Sequence, residues 1–245
     1  MPRADPNRAI LARAEGRLGA LADRLVFVGG CATGLLITDP AAAPIRATRD
    51  VDTLVEVASL QEYYRLAEEL RAKGFYEDTT GDAPMCRWRS EDVLLDVMPT
   101  RKEILGFANR WYLEAMRHAV RVPLSPEPGA LTIRLITAPY FIATKIEAFS
   151  DRGHGDFLAS HDFEDLVAVM DGRPSWPEEV LNCGPDLRRY LADRFASWLD
   201  DPDFHTALPG HLAESGFGSV RSERLQSQMR GLVVATQDEF GGKVT

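Results

Sequence analysis

The hydrophobic pattern divides the chain into two parts. In the first, short apolar runs alternate with helical stretches; in the second, helical periodicity runs throughout. Residues 7–23 carry Ile10, Leu11, Ala14, Leu18 and Leu21 near i, i+3/i+4, i+7 spacing, which predicts an amphipathic helix. Residues 25–28 are apolar without a break and short, as a buried strand is. Gly29-Gly30 follows, then one or two predicted helical turns over residues 31–37 and a loop over residues 38–44, which holds Asp39-Pro40 and Pro44. Residues 51–57 predict a second strand, and Ser59 is placed to cap a helix that runs to about Lys73, with Gly74 at its C-terminal end. A hairpin is expected from residues 75–77 and 85–89 around Gly81-Asp82. It leads into a strand over 93–98, VLLDVM, which Pro99 ends. Residues 101–122 show no clear period, 123–129 read as a loop and 133–136 as a short strand. From Ala138 onward the pattern predicts helices over 140–149, 162–170, 186–199 and about 221–235, punctuated by Gly172, Pro174, Pro177, Pro202, Pro209 and Gly210. The expected architecture is α/β (α+β), a mixed sheet with helices over residues 1–137 followed by a helical domain over 138–245.

Composition changes this picture little. The chain has 245 residues, of which 45% are hydrophobic and 27% charged, the balance of an ordinary globular protein. No apolar run approaches the roughly 20 residues that cross a bilayer, so no membrane partner is expected. Cys31, Cys86 and Cys183 lie far apart without metal-ligand spacing, so reduced thiols in a cytoplasmic protein are expected. A net charge of −9 argues against broad adhesion to nucleic acid. It leaves room for a local basic groove. Arg87, Arg89, Arg101, Lys102, Arg110, Arg117, Arg121 and Arg134 cluster in the middle of the chain, where by themselves they read as a solvated surface of mixed charge.

The candidate chemistry starts at Asp50 and Asp52. Residues two apart in a strand share a face, so two carboxylates stand side by side and repel unless a cation offsets them. Taken alone the pair also fits two exposed aspartates at a strand entry. Asp96 stands as the single carboxylate of an apolar strand, costly to bury unless paired or metal-bound. Three such carboxylates can hold two metal ions about 3.5–4 Å apart. Gly29-Gly30 permits close approach of backbone to a ligand, and amides at a helix start attract phosphate. A dinucleotide-binding G-x-G-x-x-G is only weakly matched, because Cys31 stands where its second glycine belongs and no clear crossover helix follows. Lys145 falls at the edge of the Ile142, Ile146, Phe149 stripe, either reaching solvent or reaching a phosphate. Asp162 either caps its helix, with Asp165 completing a capping box, or serves the site. His154, Asp156, His161 and Asp162 read as a polar loop, not as a second metal cluster.

In order and spacing, these residues resemble the nucleotidyltransferases of the DNA polymerase β superfamily, and among them the AbiEii-type toxins with their MenT relatives. The resemblance runs through Gly29-Gly30, then Arg46-Ala47-Thr48-Arg49-Asp50-Val51-Asp52, Asp96, Lys145 and Asp162. It implies transfer of a nucleotidyl group from an NTP. Asp50, Asp52 and Asp96 would be ligands of Mg²⁺ or Mn²⁺, and Asp96 also the base toward an acceptor hydroxyl. Gly29, Gly30 and Thr33 would cradle phosphates, with Thr48 a motif member. Lys145 and Arg46 would neutralise the triphosphate, and Asp162 would position Lys145 or the acceptor. The helical domain would complete the cleft. RNA, notably tRNA, is the implied acceptor and an antitoxin the implied protein partner. A small-molecule or protein acceptor, or a binding module without catalysis, remain alternatives at this level.

Overall fold

The computed structural model describes residues 5–81, 83–152, 155–212 and 218–241. These fall into two compact units, residues 5–34 with 45–137 and residues 35–44 with 138–241. The structure is of the expected α/β class, a mixed sheet with helices followed by a helical C-terminal part.

The sheet unit runs α1 (Arg8–Leu18), a 3-10 segment Gly19–Arg24, β1 (Leu25–Val28), the start of α2 (Gly29–Leu36), β2 (Asp50–Val55), α3 (Leu60–Ala72), β3 (Tyr76–Glu77), β4 (Arg87–Arg89), β5 (Leu94–Pro99), α4 (Lys102–Leu105), α5 (Tyr112–Arg117), β6 (Val120–Pro123) and β7 (Thr132–Leu135). Its seven strands lie in the order β3-β4-β5-β2-β1-β7-β6. β2 is parallel to β5 and antiparallel to β1, and β1 is parallel to β7. β1 is buried at all four positions, which is why it reads as an unbroken apolar run instead of an alternating one. α1 buries Ile10, Leu11, Ala14 and Leu18, the stripe its sequence predicts. α3 starts at Ser59, whose hydroxyl accepts the amide of Glu62, and gives way to Gly74 at φ 81°. The expected hairpin is β3 against β4. Of its turn residues Gly81 has φ 50°, and Asp82 lies outside the described residues.

The helical unit holds α6 (Ala138–Arg152), α7 (His161–Gly172), α8 (Trp176–Leu181), α9 (Pro185–Leu199), α10 (Pro202–His211) and α11 (Gly218–Gly241). Its core is aromatic: Phe149, Phe157, Phe163, Trp198 and Phe204 stack mostly edge to face, with neighbouring centroids 4.8–6.1 Å apart. Two helices depart from the sequence pattern. α8 and α10 contain prolines that read as breaks, yet Pro177 and Pro202 occupy first-turn positions, where the missing amide costs nothing. Pro209 sits near the end of α10.

Residues 38–44, a loop of unclear purpose in the sequence, dock with the end of α2 on the end of α7. The amides of Thr38 and Asp39 both donate to the carbonyl of Gly172 at 2.9 Å, and Arg173 donates to the carbonyl of Leu36 at 2.8 Å. A Cβ on Gly172 would stand 2.8 Å from Cγ2 of Ile37 and 3.1 Å from Cβ of Ala42. Gly172→Ala therefore overpacks this contact and should cost about 1–3 kcal/mol in urea unfolding. A variant as stable as the parent would mean that the loop yields without cost.

Candidate metal centre

β2 and β5 are neighbouring parallel strands in a register that sets Asp52 opposite Asp96 and Asp50 opposite Leu94. Directly opposed residues point to the same face, and residues two apart do so as well, so Asp50, Asp52 and Asp96 converge on one patch. One carboxylate oxygen from each lies within 4.8 Å of the others. Asp96 is buried, while Asp50 and Asp52 are half-buried. No other group of three His, Cys, Asp or Glu with this geometry occurs among the described residues.

Three carboxylates this close demand a cation, and the structure supplies one that the sequence pattern assigns to a solvated surface. Arg87 on β4 lies directly opposite Asp96. Its Nε donates to Asp96 Oδ1 at 2.8 Å, and one terminal nitrogen donates to Asp96 Oδ2 and to Asp50 Oδ2, each at 2.8 Å. The hydrogen bonds with Asp96 raise the guanidinium's already high pKa, against the opposing effect of burial, and the charges of Asp96, Asp50 and Asp52 add to the rise. Arg87 is thus a site residue and not a surface one. Among these four groups, three negative charges face one positive charge, so an excess of two remains. An all-oxygen donor set with that excess suits a hard divalent ion such as Mg²⁺ or Mn²⁺. Beside it, burial first, then the Asp96 and Asp52 carboxylates, push the Cys86 thiol up to about 12.

The segment that precedes the trio is anchored through Asn7, which no local sequence pattern marks. Its buried amide donates to the carbonyl of Arg46 at 3.2 Å and, more weakly, to that of Gly30 at 3.5 Å, and its oxygen accepts the Thr48 amide at 2.9 Å. One side chain therefore ties the Arg46–Thr48 run to the start of α2. The Thr48 hydroxyl donates to the carbonyl of Asp50 at 3.3 Å, and Thr53 donates to that of Asp96 at 3.0 Å, which fixes the backbones that carry the carboxylates. Gly29 has φ 69° and lies against Asp52: a Cβ there would come within 1.8 Å of Oδ2. The glycine is what lets the Asp52 carboxylate pack over the start of α2. Gly30 is buried in that helix. Thr33 is 1% exposed, and its hydroxyl has no hydrogen-bond partner among the described residues, so it lies beneath the surface and not on it.

In the helical unit, Lys145 of α6 is buried and paired twice. Its Nζ donates to Asp162 Oδ1 at 2.9 Å and to Asp165 Oδ2 at 2.7 Å. Burial pulls its pKa down, but the two carboxylates, Asp165 ahead of Asp162, outweigh that and leave it raised. The helical period turns Asp165 away from the apolar stripe; instead it is buried with Asp162. Neither forms the cap of α7, because Ser160 is the N-cap and accepts the Phe163 amide at 3.3 Å. The polar run near His161 holds no cluster among its described residues. His161 meets Glu164 at 3.1 Å, and Asp156 accepts the amides of Leu158 and Ala159. His154 lies outside the described residues. Among the described residues no helix is long and apolar enough to cross a membrane.

No protein-family model matches the chain, and no curated protein matches it. Among solved structures, the chain is similar to an antigenic nucleotidyltransferase-like protein from Paracoccidioides brasiliensis. The two share 16% identity over 91% of this chain and 94% of that chain, with a TM-score of 0.45. A likeness at that level assigns no residue a role.

Proposed function

We propose that the protein is a divalent-metal-dependent nucleotidyltransferase of the DNA polymerase β superfamily, which moves a nucleoside monophosphate from an NTP to an acceptor hydroxyl. The observation that carries this reading is the register of β2 and β5, which gathers the carboxylates of Asp50, Asp52 and Asp96 within 4.8 Å. Asp50, Asp52 and Asp96 would hold Mg²⁺ or Mn²⁺. When bound, the ion supplies charge stabilisation to the attacking hydroxyl and the leaving pyrophosphate. The remaining work belongs to the chain's own groups. Asp96, which is buried, would take the proton of the attacking hydroxyl. The backbone from Gly29 and Gly30 would approach the triphosphate, and Arg46, which Asn7 ties with Thr48 to the start of α2, would neutralise its charge. In the helical unit, Asp162 and Asp165 keep the Lys145 ammonium charged and fixed. Within the superfamily, the AbiEii/MenT-like order of motifs favours RNA, notably tRNA, as the acceptor and an antitoxin as the protein partner.

The test is incubation with each labelled NTP, Mg²⁺ and total cellular RNA, beside Asp50→Ala. Labelled RNA from the parent and none from the variant is expected. Labelled small molecules with unlabelled RNA would keep the transferase and remove the RNA acceptor. Absence of any labelled product, together with no NTP-dependent shift in thermal stability, would sink the enzyme reading.

A further inference from the structure

Arg87 engages the oxygens that a metal ion would use. Both oxygens of Asp96 and Oδ2 of Asp50 each accept an N–H from its guanidinium at 2.8 Å. The arrangement follows from the sheet: β4 runs antiparallel to β5 with Arg87 and Asp96 directly opposed, so the two side chains rise from the same face. The planar fork then spans Asp96 and reaches the next strand but one, where Asp50 opens β2.

We infer that Arg87 is the internal counter-cation of the acidic trio, holding Asp50 and Asp96 together until a divalent ion takes their oxygens and turns the guanidinium out. The inference rests on the metal-site reading above and adds a competitor to it. Its physical content is a sign. An arginine that merely orients Asp96 keeps its hydrogen bonds when the ion arrives, and losing such a partner weakens metal binding by roughly 10–100-fold. A counter-cation competes instead. Its charge repels the ion and its N–H groups hold the ion's ligands, so its removal must tighten binding. It also allows three carboxylates to fold side by side without an ion, since unpaired they would destabilise the strands that carry them.

The experiment titrates Mn²⁺ into full-length protein and follows the free ion by electron paramagnetic resonance, for the parent, Arg87→Gln and Arg87→Lys. Arg87→Gln should bind Mn²⁺ about tenfold more tightly than the parent. Arg87→Lys, which keeps the charge and loses the fork, should lie between them. An affinity in Arg87→Gln equal to or weaker than the parent's overturns the inference and leaves the metal site standing. Failure of every protein to bind Mn²⁺ overturns both. If far-UV circular dichroism shows Arg87→Gln unfolded, the parent answers alone through its ¹⁵N-arginine spectrum. The Arg87 Nε–H resonance should shift on saturation with Mg²⁺, and a resonance that stays in place overturns the inference.

Discussion

Lys145→Met should lower the unfolding free energy by about 3–5 kcal/mol, the cost of leaving buried carboxylates without their cation. The ammonium bonds Asp162 and Asp165 at 2.9 and 2.7 Å, and the three side chains are only 7%, 10% and 3% exposed. Solvent therefore screens little of the loss. With the ammonium gone, two like charges face each other, and one carboxyl is forced to higher pKa. The sign follows. A carboxyl whose folded pKa lies above its unfolded value near 3.9 contributes stability only in acid and loses it as pH rises through the folded pKa. The deficit of Lys145→Met should then be small in acid and full at neutral pH. The parent shows the same sign in a far more alkaline window, because the folded pKa of Lys145 is raised. Its contribution is present below the unfolded lysine value of about 10.4 and fades only as pH climbs above that. Asp165→Asn added to Lys145→Met should recover part of the loss. Urea unfolding by circular dichroism across pH measures all of this. A single variant within about 1 kcal/mol of the parent at neutral pH would show that the three groups are not energetically coupled.

That triad shows where reading the chain alone stops. A helical wheel assumes one buried face, and on that assumption Asp165 points to water. α7 is buried nearly all round, from Asp162 and Phe163 through Val169 to Gly172, so a polar residue off the stripe still ends up inside and needs a partner. The acidic trio was legible for local reasons. Asp50 and Asp52 follow from the strand's two-residue period, and Asp96 from being the single charge in an apolar run. Arg87 was not legible, because its identity as a site residue depends on strand register. A shift of one residue in the β4–β5 pairing would aim it at the opposite face. Asn7 escaped for a similar reason. It lies 23, 39 and 41 residues from the groups it ties, and no local pattern links them. The prolines of α8 and α10 failed differently, since a first-turn proline and a helix-breaking proline look alike until the helix start is known.

Gly29 offers the sharpest separation of site from scaffold. Gly29→Ala should cost on the order of 3 kcal/mol and abolish the stabilisation expected of the parent on adding Mn²⁺, through two effects that can be told apart. The first is backbone strain. At φ 69° a side chain meets the following carbonyl, at about 1–2 kcal/mol. Gly106, at φ 83° and with nothing within 4 Å of the place a Cβ would take, carries that strain alone. Gly106→Ala is therefore the control, expected to lose about 1–2 kcal/mol and to keep its Mn²⁺ response. The second effect is collision. The new Cβ would sit 1.8 Å from Asp52 Oδ2, 2.6 Å from its Cγ and 2.7 Å from its Cβ, so the whole carboxylate has to leave. Because Asp52 is paired with Val28 on one side and Asp96 on the other, it has no strand-compatible place to go that keeps the trio assembled. Thermal unfolding with and without Mn²⁺ reads both quantities at once. If Gly29→Ala and Gly106→Ala lose the same stability and respond alike to Mn²⁺, Gly29 serves only the turn. If the Mn²⁺ response goes with Gly29 alone, its missing side chain is a requirement of the metal centre.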